Sequence, residues 1–229
     1  MINILFVHQS AELYGSDKML LLLLKHLDKS MFFPVVILPA EGPLKAELEK
    51  ENVKVVVGPV LKLHRKMISP KNILLFFKQI KQSFQTLDNL NSQYHFKIVY
   101  SNTLAVLLGM IYARRRKIKH IWHVHEIIVH PKIIAGAFPR ILNKYDDIIV
   151  CNSFATKTHL VERVRELQGK LRVIYNGVEF NPNSEKTASK TDFGFNKEDI
   201  IITLVGRISR LKGHKWLLNT YINHLKNNE

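Results

Sequence analysis

Short apolar runs alternate with longer amphipathic stretches over the first 175 residues of the chain. A continuous apolar run that precedes a helical pattern is typical of a strand buried on both faces of a parallel sheet. Helical periodicity is clearest over residues 17–27, 43–51 and 73–90. We therefore predict an α/β fold with a parallel sheet that is covered by helices on both sides. The predicted strands cover residues 2–7, 33–38, 53–57, 96–100, 118–124, 147–150 and 171–175.

The alternation stops at residues 176–199, a polar segment with Asn-Gly, Asn-Pro and several Ser and Thr residues. Such a composition is typical of a linker or a long loop. Beyond it, residues 200–205 predict one more strand and residues 213–226 a helix. One strand and one helix cannot bury both their faces alone, so this tail either begins a second lobe or packs on the first. The predicted domains are an N-terminal lobe (1–178), a linker (179–198) and the start of an incomplete second lobe (199–229).

Apolar length and cysteine content bear on where the protein resides. The longest apolar runs, residues 19–24 and 104–113, are shorter than the roughly 20 residues that cross a bilayer. The N-terminus has no basic start followed by a long apolar segment, so we expect no signal peptide. Cys151 is the single cysteine, which excludes an intrachain disulfide and fits a reducing compartment. We therefore expect a cytoplasmic protein.

The chain is strongly basic, with 34 Lys and Arg against 19 Asp and Glu and a formal charge of +15. Such a charge attracts nucleic acids, anionic lipids or phosphorylated small molecules. Ordinary solvated lysine-rich faces are an equally good explanation. The basic clusters are not interleaved with aromatic residues on a strand, and no nucleic-acid-binding module is recognisable, so we expect no nucleic-acid partner.

The carboxyl ends of parallel strands are where ligands bind in open α/β sheets. After the first predicted strand, Gly15 and Ser16 would let a ligand approach the backbone, and the free N–H groups of the next helix favour an anion. An ordinary helix cap by Ser16 or Asp17 is the alternative. The sequence contains neither G-x-G-x-x-G nor a Walker A motif, which argues against dinucleotide binding and NTP hydrolysis.

A second candidate is the segment IWHVHE, residues 121–126. His125 falls where the strand should end, and a histidine there can donate to a substrate hydroxyl or meet a developing charge. A purely structural, hydrogen-bonded histidine is the alternative. A zinc site formed with His123 and His130 would lack a Cys or Asp ligand at a useful spacing, so we expect no metal.

A third candidate is the segment LVGRISRLKGHKW near the end of the chain. Arg207 follows Gly206 at the predicted strand end, and Lys212 precedes the next helix. A guanidinium and an ammonium group at such a junction can bind a diphosphate and neutralise the charge on a departing nucleotide. Solvated surface charge is the alternative.

The segments VIYNGVEF and LVGRISRLKGHKWLL together closely resemble the interlobe connection and the first donor-lobe loop of glycosyltransferase family 4. The opening ILFVHQSAELYGSDK, the HVHE segment and CNS before a helix are also similar to that family, so the resemblance covers essentially the whole chain. It implies a Rossmann-like parallel-sheet lobe of the GT-B fold. It also implies a retaining enzyme that needs no metal or other cofactor and takes a nucleotide-diphosphate sugar as co-substrate.

By that resemblance, Gly15 lies near the donor phosphates, His125 near the reacting sugar, and Arg207 and Lys212 bind the nucleotide diphosphate. The sequence departs from the family in having Gly-Ser where many members have Gly-Gly. The acidic pair that members carry later in the second lobe is also absent from these 229 residues. We therefore expect the 229-residue chain by itself to be inactive.

The acceptor is expected on the first lobe, and the resemblance implies a glycan or lipid-linked acceptor in the synthesis of a surface polysaccharide. Lys62, Arg65 and Lys66 stand among apolar residues before a helix, where they could contact an anionic membrane at the inner face. Ordinary solvated charge is the alternative. A non-catalytic lobe that binds an acceptor or a partner protein is the rival to the enzyme.

Overall fold

The computed structural model describes residues 1–61, 70–104, 106–145, 148–179, 188–209 and 212–225. The chain divides into two compact units, Met1–Val178 and Glu179–Glu229. The first unit contains the α/β fold, and the second is described separately below.

The described strands of the first unit form one parallel seven-stranded sheet in the order β3-β2-β1-β4-β5-β6-β7. The order reverses between β1 and β4, which makes the carboxyl ends of these two strands the topological switch point of the sheet. The predicted Rossmann-like α/β fold is therefore confirmed. The strands are β1 (Ile2–His8), β2 (Phe32–Leu38), β3 (Lys54–Val57), β4 (Ile98–Asn102), β5 (Lys119–Val124), β6 (Ile148–Cys151) and β7 (Leu171–Val173).

Helices connect consecutive strands and cover both faces of the sheet. The first of them, α1, begins at Gly15, two residues earlier than predicted. Helix α3 is longer than the periodicity indicates, because it extends in both directions beyond residues 73–90. The helices of this unit are α1 (Gly15–Lys25), α2 (Pro43–Lys50), α3 (Pro70–Tyr94), α4 (Leu108–Arg116), α5 (Lys132–Tyr145) and α6 (Phe154–Val161).

The central strands are buried on both faces, which explains their continuous apolar sequence. On β1, Leu5 and Val7 pack in a core with α3 and α4, whereas Ile4 and Phe6 pack in a second core with α1 and α2. A third core under α5 and α6 is built around Trp122. Rigid packing on both sides fixes the positions of the strand ends, where the polar side chains lie.

Helix α4 approaches the sheet closely at Gly109. A Cβ atom at this position would clash with Oγ of Ser101 on β4 and would lie 3.4 Å from a methyl group of Val7 on β1. Glycine is therefore required for α4 to pack directly against the two strands that border the switch point.

The second unit contains no strand among its described residues, so the strand predicted over 200–205 is wrong. Ile200, Ile202 and Val205 are exposed. A strand needs a neighbour to pair with its backbone N–H and C=O groups, and the described part of this unit offers none. The predicted helix is confirmed in part, as α7 (His214–Thr220) followed by a π-helical turn, Tyr221–Leu225.

Among the described residues, no helix has the length and apolar content needed to cross a membrane.

Candidate active site

The switch point of the sheet is occupied by polar side chains from β1 and β4. His8 and Asn102 are the last residues of these strands and pair with each other in the parallel register. Nδ2 of Asn102 lies 3.0 Å from Nδ1 of His8, and Oδ1 of Asn102 lies 2.8 Å from Nε2 of His125, which follows β5 directly. The predicted site residue His125 therefore belongs to a connected polar cluster at the carboxyl edge of the sheet.

Asp17, in the first turn of α1, completes the cluster through its contact with His8. Its Oδ1 lies 2.6 Å from Nε2 of His8, and both side chains are buried. Its Oδ2 accepts a hydrogen bond of 2.9 Å from the N–H group of Tyr14. This bond caps the start of α1. Burial alone would raise the pKa of Asp17, but the hydrogen bonds from His8 and Tyr14 outweigh it and hold the pKa below its usual value. Asp17 is therefore an ionised anchor for His8.

His125 stacks on His123, with 3.9 Å between the ring centroids. Burial lowers the pKa of His125 to about 4 and that of His123 to about 3, so both rings are neutral near pH 7. Nδ1 of His123 is 2.8 Å from the hydroxyl oxygen of Tyr100, whereas its Nε2 is buried and has no partner among the described residues. A neutral His125 can bind a hydroxyl group but carries no charge of its own to offer a phosphate.

Glu126 ties the loops after β4 and β5 together. One of its carboxylate oxygens lies 3.2 Å from the N–H group of Leu104 and 3.2 Å from that of His125, and accepts from both. Burial raises the pKa of Glu126, partly offset by these backbone donors. The HVHE segment thus places one side chain toward the polar cluster and uses the next to hold its own backbone.

Asn152 and Ser153, from the CNS segment after β6, support His125 from the other side. Nδ2 of Asn152 donates to the carbonyl oxygen of His125 over 3.3 Å, and Thr156 donates to Oδ1 of Asn152 over 2.9 Å. Ser153 caps α6 by accepting from the Thr156 N–H group. Three consecutive strand ends therefore contribute to the position of His125.

Thr103 holds the turn after β4 in an unusual conformation, with φ of 92°. A β-branched residue rarely adopts a positive φ. Its N–H group donates to the His123 carbonyl oxygen over 2.9 Å, and its own carbonyl oxygen accepts from the indole N–H group of Trp122 over 2.8 Å. These two bonds clamp the backbone directly after Asn102.

Gly15 begins α1 near this cluster and is exposed. A Cβ atom built there would meet no other atom within 4 Å. The described residues therefore leave open space beside Gly15, and the role of Gly15 toward donor phosphates stays a prediction.

Arg207 and Lys212 belong to the second unit, and both are exposed. The Lys212 N–H group donates to the Ser209 carbonyl oxygen over 3.1 Å, and the Lys212 stem lies 3.7 Å from where a Cβ of Gly206 would be. Their binding of a diphosphate stays a prediction. Lys62, Arg65 and Lys66 lie outside the described residues, so the predicted acceptor or membrane surface has no structural description.

In the described part of the chain, no group of three His, Cys, Asp or Glu side chains is arranged to hold a metal ion. Sequence reasoning found His125 and named Asp17 only as a possible helix cap, which its hydrogen bond from the Tyr14 N–H group bears out, but it missed His8 and Asn102. The sequence did contain a signal for His8 and Asn102, because each is a polar residue at the end of an apolar run. These are His8 in the segment VHQS (7–10) and Asn102 in the segment YSNT (100–103).

A model of the family described as Glycosyltransferase Family 4 matches residues 15–181. That region contains Gly15, Asn102 and His125. No curated protein sequence matches the chain.

Several solved structures share the fold. The Anabaena protein Alr3699/HepE in complex with UDP and glucose has a TM-score of 0.57 and 22% identity, covering 78% of this chain and 45% of that one. A glycosyltransferase from Rickettsia africae has a TM-score of 0.56 and 21% identity, covering 77% and 43%. Sucrose-phosphate synthase from Thermosynechococcus elongatus has a TM-score of 0.65 and 12% identity, covering 96% and 59%. The chain thus spans less than half the length of the Anabaena and Rickettsia proteins.

Proposed function

Because this chain belongs to glycosyltransferase family 4, we propose that it forms the acceptor lobe and part of the donor lobe of a nucleotide-sugar-dependent glycosyltransferase. The enzyme transfers a sugar from a nucleotide-diphosphate donor to a hydroxyl group of a glycan or lipid-linked acceptor. The observation that carries the proposal is the polar cluster around Asn102 and His125. It lies at the switch point of a parallel sheet, where open α/β folds bind their ligands, and inside the region that the family model matches.

His125 is the proposed catalytic residue. Its neutral ring follows the strand end directly, on a backbone that Glu126 and Asn152 hold in place. A positioned imidazole can orient the reacting sugar through one of its hydroxyl groups while the glycosidic bond to the donor breaks.

By the sequence resemblance, Gly15 is proposed to lie near the donor phosphates, and Arg207 and Lys212 are each proposed to bind the nucleotide diphosphate. Charge develops on the departing diphosphate in the transition state, and the guanidinium group of Arg207 and the ammonium group of Lys212 are proposed to stabilise it there. The crystal structure of the Anabaena protein contains UDP, which supports a nucleoside diphosphate as the ligand class for this chain.

Retention of anomeric configuration, a hexose as the transferred sugar, and a role in surface-polysaccharide synthesis are finer proposals. They are supported by the sequence resemblance to the family. Contact with an anionic membrane at the cytoplasmic face through Lys62, Arg65 and Lys66 is supported by the mixture of basic and apolar residues in that segment.

The function is tested by a transfer assay on the product of the complete reading frame of the gene. A panel of radiolabelled nucleotide-diphosphate sugars is offered with a lipid extract as acceptor, and nucleoside diphosphates are titrated by calorimetry. We expect transfer from one of the donors. We also expect Arg207→Ala and Lys212→Ala to bind the nucleoside diphosphate at least about 10-fold more weakly than the wild type. The matched control is Lys215→Ala, an exposed cation on α7. Absence of both transfer and binding heat contradicts the proposal and favours a non-catalytic binding lobe.

Membrane contact is tested by liposome flotation with and without anionic lipid. We expect binding that depends on anionic lipid and is lost when Lys62, Arg65 and Lys66 are replaced by Gln. The matched control replaces Arg114, Arg115 and Lys117, a second basic cluster at the end of α4. Flotation that is indifferent to lipid charge contradicts this part of the proposal.

A further inference from the structure

We propose that Asn102 is a positioning residue that holds His125 in its Nε2–H tautomer and leaves Nδ1 as a hydrogen-bond acceptor for a substrate hydroxyl. The tautomer follows from the hydrogen bonds in the cluster together with the neutrality of the buried ring. Only the statement that Nδ1 meets a sugar hydroxyl rests on the proposed function.

The first step is the orientation of the Asn102 amide. Nδ2 of Asn102 lies 3.2 Å from the carbonyl oxygen of Ser16, at the start of α1. A backbone carbonyl can only accept, so the NH2 group of the amide must face Ser16. The amide oxygen therefore faces His125, at 2.8 Å from Nε2.

The contact with His8 is compatible with the same orientation. The carboxylate of Asp17 already accepts from the Tyr14 N–H group and is ionised, so it can only accept from Nε2 of His8 as well. The Asn102 NH2 group, oriented by Ser16, also lies 3.0 Å from Nδ1 of His8, and Nδ1 accepts its second hydrogen. Both hydrogens of the amide are thereby assigned, and its oxygen has no other direction to face.

The last step fixes His125. An amide oxygen can only accept, so Nε2 of His125 must carry the proton. Because burial keeps the ring neutral near pH 7, Nδ1 carries none. Nδ1 of His125 has no hydrogen-bond partner in the described part of the chain. It is also not fully buried, so solvent or a ligand can reach it.

No neighbouring titratable group opposes this assignment. His123 stacks on the ring but directs its Nδ1 to Tyr100, and Glu126 accepts from the backbone of His125 rather than from its ring. His8 makes no direct hydrogen bond to His125 among the described residues, and its electrostatic effect lowers the pKa of His125 further, which also favours the neutral ring. His125 thus accepts a hydrogen bond from substrate, whereas the sequence alone suggested that it donates one.

The test is long-range ¹H–¹⁵N NMR of the histidine rings in the full chain at pH 7. We expect both His8 and His125 as Nε2–H tautomers in the wild-type protein. A proton on Nδ1 of His125 overturns the proposal, whatever the variants do.

Asn102→Asp tests the role of the amide. A carboxylate facing Nε2 is expected to raise the NMR-measured pKa of His125 by about 1–3 pH units. The same carboxylate faces Nδ1 of His8, so His8 is expected to carry protons on both ring nitrogens. The matched control is Asn102→Leu, which removes the amide without adding a charge and should therefore not raise the pKa of His125.

An Asn102→Asp variant that folds but leaves the tautomer and pKa of His125 unchanged overturns the proposal. If this variant does not fold, the wild-type spectrum decides. If the wild-type protein shows the expected tautomers but transfers no sugar, the proposed function is contradicted and the positioning role of Asn102 still stands.

Discussion

The side-chain oxygen of Asn102 lies 2.8 Å from Nε2 of His125, although the two residues are 23 positions apart in the chain. The parallel pairing of β4 with β5 brings them together, because Asn102 pairs with His123, two residues before His125. On its other side, Asn102 pairs with His8 of β1. The candidate active site therefore depends on the register of three adjacent strands.

Replacing His125 by Gln is expected to lower the rate of sugar transfer about 100-fold or more, because a positioned imidazole typically contributes a factor of about 10²–10⁴. Initial rates at saturating donor measure the effect, and circular dichroism checks the fold. The matched control is His120→Gln, at the amino end of the same strand, where the ring contacts Ser101. Equal losses in both variants would contradict a catalytic role for His125.

Replacing Tyr100 by Phe is expected to lower the free energy of unfolding by about 1–3 kcal/mol. The substitution removes the hydroxyl partner of Nδ1 of His123, whose Nε2 is already buried without a partner among the described residues. Urea denaturation measures the change. Tyr175→Phe, at a tyrosine that is 64% exposed, is the control and should have little effect. In a His123→Leu background the cost of Tyr100→Phe should disappear.

The free energy of unfolding is expected to fall as the pH is lowered from about 6.5 toward 4. Burial holds the pKa of His123 at about 3 and that of His125 at about 4, against an ordinary value of 6.5. In this window the unfolded chain binds protons that the folded chain does not, so stability is lost on acidification. Glu126 opposes this trend just above its ordinary pKa, because its raised pKa lets the folded state keep a proton.

Urea denaturation at pH 7 and pH 5 measures this dependence. His123→Gln removes one of the two histidines that take up a proton only in the unfolded chain. It should reduce the slope of the free energy of unfolding against pH by up to about 1.4 kcal/mol per pH unit. Identical slopes for the variant and the wild type would contradict the assignment to His123.

Replacing Gly109 by Ala is expected to destabilise the fold by about 1–3 kcal/mol, the usual range for overpacking. The added methyl group would clash with Oγ of Ser101. In a Ser101→Ala background the clash is removed, and Gly109→Ala should become neutral or slightly stabilising. Gly169→Ala is the control, because a Cβ there meets no atom within 4 Å. Thermal unfolding of Gly109→Ala, Ser101→Ala, the double variant and Gly169→Ala measures the effect. If Gly109→Ala destabilises the protein equally in the Ser101→Ala background, the clash with Oγ is not the cause.

The strands of the sheet could be predicted from the sequence because they are apolar on both faces, and the α/β fold followed from their alternation with helices. The polar carboxyl ends of β1 and β4 could not, and the ends predicted for β6 and β7 also differ from the structure. The strand predicted over 96–100 is β4 at Ile98–Asn102, since Ser101 and Asn102 are polar but fully buried and paired within the sheet. A hydropathy pattern assigns such residues to a loop.

The same cause hid most of the candidate site. His8 and Asp17 satisfy each other in the interior, and only the fold reveals that a residue of α1 reaches the end of β1. His125 could be identified because it follows directly after an apolar predicted strand, and the HVHE segment also resembles a known family. The strand predicted over 200–205 failed for the opposite reason, since apolar sequence alone does not supply a pairing partner.

The clamped turn at Thr103 bears on how this protein could be re-engineered. Its backbone is fixed by bonds to His123 and Trp122, and the next N–H group, that of Leu104, is held by Glu126. An insertion or deletion at these positions would displace the Asn102 amide and the imidazole it orients. Under the proposed function, loop grafts aimed at acceptor binding should therefore leave residues 101–104 intact and exchange the chain beyond Glu126, where the Ile127 and Val129 side chains are exposed to solvent.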